Sequence, residues 1–191
     1  MSRVLLIQGS PKPGSFCDAL GEAYARGAES AATPVRRLVV RDLRFDPYLG
    51  GDYQAAARLE ADLQTAQEAI WDAQHLVWVY PIWWGFMPAM LKGFIDRTLL
   101  PGFAFKYRRG SALWDKLLVG RTARLIVTMD APPLYNRIAY RNAGPHLMRK
   151  AILGFCGVKP VRVTSIGSIK MSSPARRARW LARVERLGAK D

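Results

Sequence analysis

Short apolar segments alternate with amphipathic segments along almost the whole chain, and this order restricts the folds that it can adopt. Residues 3–8 form a near-continuous apolar run that ends at Gly9, which is typical of a strand buried on both faces of a parallel sheet. From Ser15 onwards, apolar residues recur at helical spacing, and Ser15 with Asp18 matches the capping-box pattern of a helix start. The sequence therefore begins with a predicted strand and a predicted helix.

The same unit recurs four more times. Further strands are predicted at residues 35–40, 75–80, 124–129 and 161–165. Further helices are predicted around Leu59, Leu63, Ala66 and Ile70, and at residues 88–99, 147–155 and 174–187. Within residues 88–99, the side chains expected to face the core are Met90, Leu91, Phe94 and Ile95. A polar loop is predicted at residues 41–52.

Strands that alternate with helices predict an α/β protein with a mostly parallel sheet and helices on both faces. Five units within 191 residues favour a doubly wound, flavodoxin-like five-stranded sheet over an eight-fold barrel. With 50% hydrophobic and 23% charged residues, the chain can bury a core of its own. We therefore expect a single domain over residues 1–191, with a basic helix at about 174–188.

The net charge indicates which kinds of partner the chain could bind, and the cysteine content indicates its cellular compartment. The formal charge is +14, which raises nucleic acid, anionic membranes and anionic ligands as partners. The two cysteines, Cys17 and Cys156, are far apart without CxxC spacing, and His75 and His146 give no ligand spacing, so neither a disulfide framework nor a metal site is predicted. Together with the short apolar run at the start of the chain, this predicts a cytoplasmic protein.

In a doubly wound sheet, ligands bind at the carboxyl ends of the strands, so the loops that follow the strands are the candidate sites. The first loop, residues 9–15, offers small residues, the hydroxyls of Ser10 and Ser15 and the N-terminus of a helix, which together suit a phosphate. Neither a P-loop lysine nor a GxGxxG is present, so an ATPase and an ordinary dinucleotide-binding dehydrogenase are disfavoured. A plain capped helix after a turn remains the alternative.

The second and third loops carry aromatic and polar groups. In residues 81–88, Trp83 and Trp84 follow a strand where a polar loop is expected, and Gly85 lets backbone N–H groups approach a ring edge. A flavin or a quinone fits such a loop, and an aromatic subunit interface is the alternative. The third loop, residues 128–135, offers the carboxylate of Asp130 and the phenol of Tyr135.

These residues carry a resemblance to a known family. Residues 9–16, the string Pro-x-Trp-Trp-x-x-x-Pro-Ala-x-Leu-Lys-Gly-x-x-Asp-Arg from Pro81 to Arg97, residues 101–105 and Gly154-Phe-Cys-Gly157 resemble the flavodoxin-fold NAD(P)H:quinone oxidoreductases. The match spans nearly the whole chain, and the long string is specific. The resemblance implies a homodimer with FMN, or alternatively FAD, that is reduced by NADPH or NADH and reoxidised by a quinone or a similar acceptor.

The resemblance also implies roles for single residues. Those expected to hold the flavin phosphate are Ser10, Ser15, Phe16 and Cys17. Those expected to border the isoalloxazine ring are Pro81, Ile82, Trp83, Trp84 and Gly85, with Asp130 and Ala131 at its pyrimidine side. Tyr135 is expected in the acceptor pocket as the catalytic residue, where its phenol would stabilise charge on a quinone oxygen.

The chain departs from the family's better-known members at two of these positions. Asp130 and Ala131 stand where those members carry two glycines, and Cys17 replaces a commoner asparagine. A carboxylate beside the ring would oppose negative charge on a reduced flavin unless it points away or binds a ring N–H.

The basic charge is concentrated at the end of the chain. Residues 170–191 contain seven Lys or Arg against two acids, and Arg176, Arg179, Arg183 and Arg186 share one arc of the predicted helix beside an apolar stripe of Trp180, Val184 and Leu187. A solvated basic face is one interpretation, and contact with an anionic membrane surface or attraction of NADPH is another. Nucleic acid is not favoured. The alternative to an enzyme is a non-catalytic anion-binding or regulatory module, such as an accessory subunit of a membrane transporter.

Overall fold

A computed structural model describes residues 4–50 and 59–191. Its strands are β1 (Val4–Gln8), β2 (Val35–Val39), β3 (His75–Pro81), β4 (Phe105–Tyr107), β5 (Trp114–Lys116), β6 (Thr122–Thr128) and β7 (Val161–Ile166). Its helices are α1 (Phe16–Ser30), α2 (Ala61–Asp72), α3 (Ala89–Thr98), α4 (Pro133–Ala139), α5 (Ala143–Leu147), α6 (Gly154–Cys156) and α7 (Pro174–Gly188). A π-helical segment, Met148–Leu153, joins α5 to α6. Arg3 and the end of the predicted loop 41–52 lie outside the described residues.

The main sheet has five strands in the order β2-β1-β3-β6-β7, and every neighbouring pair is parallel. The direction of winding reverses between β1 and β3, which is the doubly wound order that the sequence predicts. Each face of the sheet has its own core. Leu5, Ile7, Trp78 and Leu125 are buried with α2 and α3, whereas Leu6, Val77, Val79 and Ile126 are buried with α1 and Val184 of α7.

Helix α1 begins where the capping pattern predicts. The Asp18 N–H donates to the Ser15 hydroxyl at 3.3 Å, and the Ser15 N–H donates to the Asp18 carboxylate at 3.1 Å. Helix α1 then packs closely on α7, because a Cβ added to Gly27 would lie only 1.8 Å from the Glu185 carbonyl oxygen. The side chains of the predicted apolar stripe of α7 pack on this core, and the four arginines of the neighbouring arc are exposed.

The structure differs from the sequence prediction in several places. Val40, predicted to end a strand, instead begins a 3-10 helix, Val40–Asp42, and the predicted helix 147–155 is π-helical over Met148–Leu153. The hairpin of β4 and β5 was not predicted, because strands of three residues are too short to show an alternating pattern. The loop after β6 gives way to α4 at Pro133, so proline at the first helical position starts a helix here rather than extending a loop. Met90 is 38% exposed, so its predicted core position is wrong, although Leu91, Phe94 and Ile95 are buried.

A buried ionic cluster ties α7 to the amino-end edge of the sheet. The Asp191 carboxylate accepts hydrogen bonds from Arg124, from Arg162 at 2.8 Å and from the Tyr24 hydroxyl at 3.1 Å. His75 lies beside it, with Nε2 at 3.7 Å from an Asp191 oxygen and Nδ1 at 2.6 Å from the Thr122 hydroxyl. The cluster joins β3, β6 and β7 to the end of the last helix.

Burial determines how this cluster responds to pH. Burial lowers the pKa of His75 and outweighs the opposing charge of Asp191. Burial on its own would raise the pKa of Asp191, but the hydrogen bond and charge of Arg124, together with His75 and Tyr24, lower it overall. In each case the unfolded chain binds a proton at a higher pH than the folded chain does, so acid destabilises the fold.

We expect the free energy of unfolding to fall as the pH drops below the ordinary His75 value of 6.5, and to fall again when Asp191 protonates in stronger acid. Urea unfolding at pH 7, 6 and 5 measures the first of these slopes. His75→Gln should flatten it, whereas His146→Gln, a change at an exposed histidine, should leave it unchanged. An equal slope in the wild type and His75→Gln would contradict the assignment to His75.

Candidate functional site

The three loops predicted to carry chemistry meet at the carboxyl-end edge of the sheet. A first cavity of about 190 Å³ is lined by residues from all three loops. Its lining contains Ser10, Lys12, Ser15, Phe16, Cys17, Pro81, Ile82, Trp83, Thr128, Met129, Asp130 and Ile169. Eight of the twelve residues predicted for the site are therefore brought together here.

The N-terminus of α1 forms one end of the first cavity. The backbone N–H groups of Phe16 and Cys17 belong to the first helical turn, where no preceding turn supplies carbonyl acceptors, and the helix dipole adds positive potential. Lys12 is exposed at the same end, and Ser10 is buried with its hydroxyl 3.4 Å from the Lys12 carbonyl oxygen. This arrangement suits a phosphate group.

The Asp18 carboxylate, which on its own would repel an anion at this end, is paired with a cation. Arg41 donates from Nη1 to Asp18 at 2.9 Å and to the Ser10 carbonyl oxygen at 3.1 Å. The arginine thus neutralises Asp18 and fixes the loop before α1. The end of the cavity keeps a net positive character from Lys12 and the helix N-terminus.

Cys17 lies at the base of the first cavity and is fully buried in its thiol form. Its sulfur is 3.2 Å from the Thr128 hydroxyl, and burial raises its pKa to about 12. A thiolate is therefore not available at neutral pH, and Cys17 acts as a small packing residue that links α1 to β6. Cys156 is likewise buried.

A tight turn holds the two tryptophans at the mouth of the site. Trp83 and Phe86 exchange backbone hydrogen bonds of 2.9 and 3.0 Å, and between them Trp84 and Gly85 adopt positive φ angles of 50° and 79°. A Cβ added to Gly144 would lie 2.4 Å from the Gly85 carbonyl oxygen, so α5 supports the turn from behind. The turn directs Trp83 to the first cavity and leaves Trp84 fully exposed.

A second cavity of about 620 Å³ lies on the other side of this turn. It is lined by Ile82, Trp84, Gly85, Phe86, Met129, Asp130, Ala131, Asn136, Tyr140, Ala143, Gly144 and Leu147. Its lining is mostly apolar and aromatic, which suits a flat organic molecule. The two cavities share a wall formed by Ile82, Met129 and Asp130.

The loop after β6 is fixed to the loop after β7. The Lys170 N–H donates to Asp130 Oδ1 at 3.1 Å, and the Ser168 N–H donates to the Ala131 carbonyl oxygen at 3.3 Å. Asp130 is exposed, and its position in the shared wall brings a carboxylate to both cavities. The two residues that replace the glycines of the better-known family members are thus held rigidly at the site.

Tyr135, the predicted catalytic residue, lines neither cavity. Its ring stands perpendicular to that of Tyr140, with 5.6 Å between the centroids, and Tyr140 is the phenol that lines the second cavity. Interaction with the neighbouring Tyr135 phenol raises the pKa of Tyr140 above its ordinary value. Asn136, also in the lining, is buried and donates to the Asn142 side chain at 3.0 Å.

Sequence reasoning missed Lys12, Asn136 and Tyr140. Lys12 lies within a loop that was already predicted to bind an anion, so its charge was a usable signal. Asn136 and Tyr140 reach the cavity only because α4 begins at Pro133 and ends in a turn where Arg141 and Asn142 both have positive φ. The sequence carries no comparable signal for that geometry.

The doubly wound sheet, with an anion-suited helix N-terminus and an aromatic turn at the β1–β3 switch point, defines a flavodoxin-like protein. The chain matches the family described as flavodoxin-like fold over residues 2–188 and belongs to it. A solved structure from Streptococcus mutans superposes with a TM-score of 0.87 at 27% identity, covering 99% of this chain and all of that one.

Two curated relatives carry the resemblance to oxidoreductases. An uncharacterized NAD(P)H oxidoreductase of Haemophilus influenzae is 27% identical over 134 residues, which cover 68% of this chain and 65% of that protein. An FMN-dependent NADH:quinone oxidoreductase of Vibrio parahaemolyticus is 28% identical over 189 residues, covering 92% of each chain. The chain spans about half of the mammalian quinone-dependent dehydrogenases that it also matches. These relatives confirm the family resemblance predicted from the sequence.

The described part of the chain contains neither a membrane-spanning helix nor a cluster of metal-ligating side chains. No helix within residues 4–50 and 59–191 has the length and apolar character needed to cross a bilayer. Across the same residues, no cluster of three or more His, Cys, Asp or Glu side chains has the geometry of a metal site.

Proposed function

We propose that this protein is a flavin-dependent NAD(P)H oxidoreductase that transfers two electrons to a quinone or a related aromatic acceptor. The observation that carries the proposal is the shared wall between an anion-suited cavity and an aromatic cavity at the switch point of the sheet. A flavin, when bound, supplies two-electron chemistry by accepting a hydride and passing the electrons on. The chain's part is to bind, orient and shield the reacting rings.

FMN is the flavin that the first cavity fits best. The helix N-terminus, Lys12 and Ser10 would hold its single phosphate, and Pro81 to Trp83 would border the ring where it enters the shared wall. The Vibrio relative, which is similar along nearly its whole length, is named as FMN-dependent. FAD remains the alternative cofactor, and NADPH or NADH is the proposed electron donor.

The visible spectrum of the purified protein tests this proposal. We expect added FMN to bind, anaerobic NADPH to bleach its absorption and a quinone to restore it. Lys12→Gln should raise the dissociation constant of FMN about tenfold, because one charged hydrogen bond to phosphate is lost. Lys159→Gln, a change at an exposed lysine near the start of β7, serves as the matched control. Failure to bind either FMN or FAD would reject the flavin enzyme and leave the anion-binding module.

In the second cavity, the Tyr140 hydroxyl is the group placed to assist the acceptor. A phenol is protonated at neutral pH, so the Tyr140 hydroxyl can donate a hydrogen bond in this cavity and would stabilise charge developing on a quinone oxygen. Tyr135 would act through Tyr140 by holding its ring in place. The catalytic role predicted for Tyr135 is therefore proposed as a supporting one.

We expect Tyr140→Phe to slow reoxidation of the flavin by a quinone about tenfold, since one hydrogen bond to a charged oxygen is lost. Reduction by NADPH should change little. Tyr135→Phe should give a smaller effect in the same half-reaction. Stopped-flow absorbance of the flavin separates the two half-reactions, and an equal loss in both for Tyr140→Phe would indicate a packing defect instead.

A second copy of the chain is the proposed cover for the open side of this cavity. Three of the residues that line it, Trp84, Tyr140 and Leu147, are about half or more exposed, and so are Leu134 and Ile138 on the adjoining helix α4. Electron transfer between rings is favoured where water is excluded, and a partner subunit would close the slot. We therefore propose the homodimer that the family resemblance implies.

Sedimentation analysis tests the dimer. We expect the wild type to sediment as a dimer and Ile138→Glu to sediment as a monomer, because a buried unpaired carboxylate opposes association. Val163→Glu, at a partly exposed position on edge strand β7, should remain dimeric. A monomeric wild type, or a dimeric Ile138→Glu, would rule out this surface.

A further inference from the structure

Among the described residues that line the second cavity, Asp130 is the one whose side chain is charged at neutral pH. We propose that Asp130 selects electron acceptors by charge, admitting neutral and cationic aromatic acceptors and disfavouring anionic ones. This inference rests on the proposed function, because it concerns the acceptor of that same site. It assigns a role in specificity to the residue at which the chain departs from its better-known relatives.

The carboxylate is held in a fixed position at the wall. Asp130 Oδ1 accepts the Lys170 N–H at 3.1 Å, and within the described residues no hydrogen bond reaches Oδ2. The loop itself is fixed by the bond from the Ser168 N–H to the Ala131 carbonyl oxygen. The exposed carboxylate is therefore restrained at one oxygen and carried on a loop that is itself hydrogen-bonded to its neighbour, which keeps its charge close to whatever enters the cavity.

The negative charge of Asp130 in the second cavity is opposite in sign to the net charge of the whole chain. The formal charge of +14 attracts anions to the protein surface, and the exposed Arg137 and Arg141 lie on and just after α4. Inside the second cavity the sign is reversed, because the charge in its lining is that of Asp130. An anionic acceptor would thus be attracted to the surface but repelled at the position from which it must react.

Repulsion grows as the acceptor enters. An exposed carboxylate is well screened by water, but a flat ring stacked against Ile82 and Met129 would displace that water and strengthen the interaction. The reduced nicotinamide ring of the proposed electron donor is uncharged, so the carboxylate does not repel it. We expect a discrimination of about tenfold between acceptors that differ by one negative charge.

A purely structural role for Asp130 makes a different prediction. If the residue served only to link the two loops, asparagine would replace it without effect, because its Oδ1 also accepts a hydrogen bond. Asp130→Asn therefore removes the charge and keeps the link, whereas Asp130→Ala removes both. The melting temperature reports the link, and the preference between acceptors reports the charge.

The experiment compares two naphthoquinones with the FMN-loaded protein. We expect Asp130→Asn to raise kcat/KM for 1,4-naphthoquinone-2-sulfonate about tenfold relative to neutral 2-methyl-1,4-naphthoquinone, with a smaller gain at high salt. Asp130→Ala should show the same change in preference with a lower melting temperature. Asp72→Asn, at an exposed carboxylate at the end of α2, should leave the preference unchanged.

A binding measurement keeps the inference separate from the proposed function. The dissociation constant of anthraquinone-2-sulfonate, followed by quenching of tryptophan fluorescence, requires no turnover, and it should fall about tenfold in Asp130→Asn. A wild type that reduces neither quinone would reject the proposed function while this measurement still tests Asp130. An unchanged dissociation constant of anthraquinone-2-sulfonate in Asp130→Asn would overturn the role of Asp130. An equal change in kcat/KM for the two naphthoquinones would overturn it as well.

Discussion

Parallel pairing of β1, β3 and β6 is the constraint on which the rest of the molecule depends. Gln8 pairs with Val79, and Pro81 pairs with Thr128, so β3 and β6 end together and β1 ends two residues earlier at the same edge of the sheet. The ladder continues one residue further, because the Gly9 N–H donates to Val79 and the Ile82 N–H donates to Thr128. Three loops that are distant in sequence therefore start side by side, and a site formed from all three needs no further long-range contact.

The loops after β1 and β3 are held in place by different interactions, and the turn of the loop after β3 lies between the two cavities. The first loop is fixed by the α1 cap and by Arg41, so its backbone donors have fixed directions. The turn of Trp83 to Phe86 has left-handed backbone at a tryptophan, a conformation that costs about 1 kcal/mol or more. Its paired hydrogen bonds and the close approach of Gly144 keep it there. In this conformation Trp83 lines the first cavity and Trp84 lines the second.

Features formed by residues close together in the sequence could be predicted from it, whereas contacts between distant residues could not. The capping box, the buried strand runs and the aromatic loop are local patterns, and the structure contains all of them where they were expected. The position of Tyr140 depends on the turn after α4, and the contact of Arg124 with Asp191 spans sixty-seven positions in the chain. Such contacts leave no periodic signal in the sequence. The family resemblance pointed to Tyr135, whereas the phenol that lines the second cavity is that of Tyr140.

The distribution of charge connects the fold to the chemistry proposed for it. Lys12 and the helix N-terminus make one end of the first cavity positive, while Asp130 makes the wall between the cavities negative. A molecule with an anionic tail and an uncharged ring would therefore bind in one orientation, because the reverse orientation places its phosphate against a carboxylate. The same carboxylate is disfavoured beside a ring that gains electrons, so its presence at this position carries a cost for the proposed flavin chemistry. The proposed discrimination between acceptors by charge would offset that cost, since Asp130 adds a charge to a lining whose other polar groups, such as the Asn136 amide and the Tyr140 hydroxyl, are uncharged.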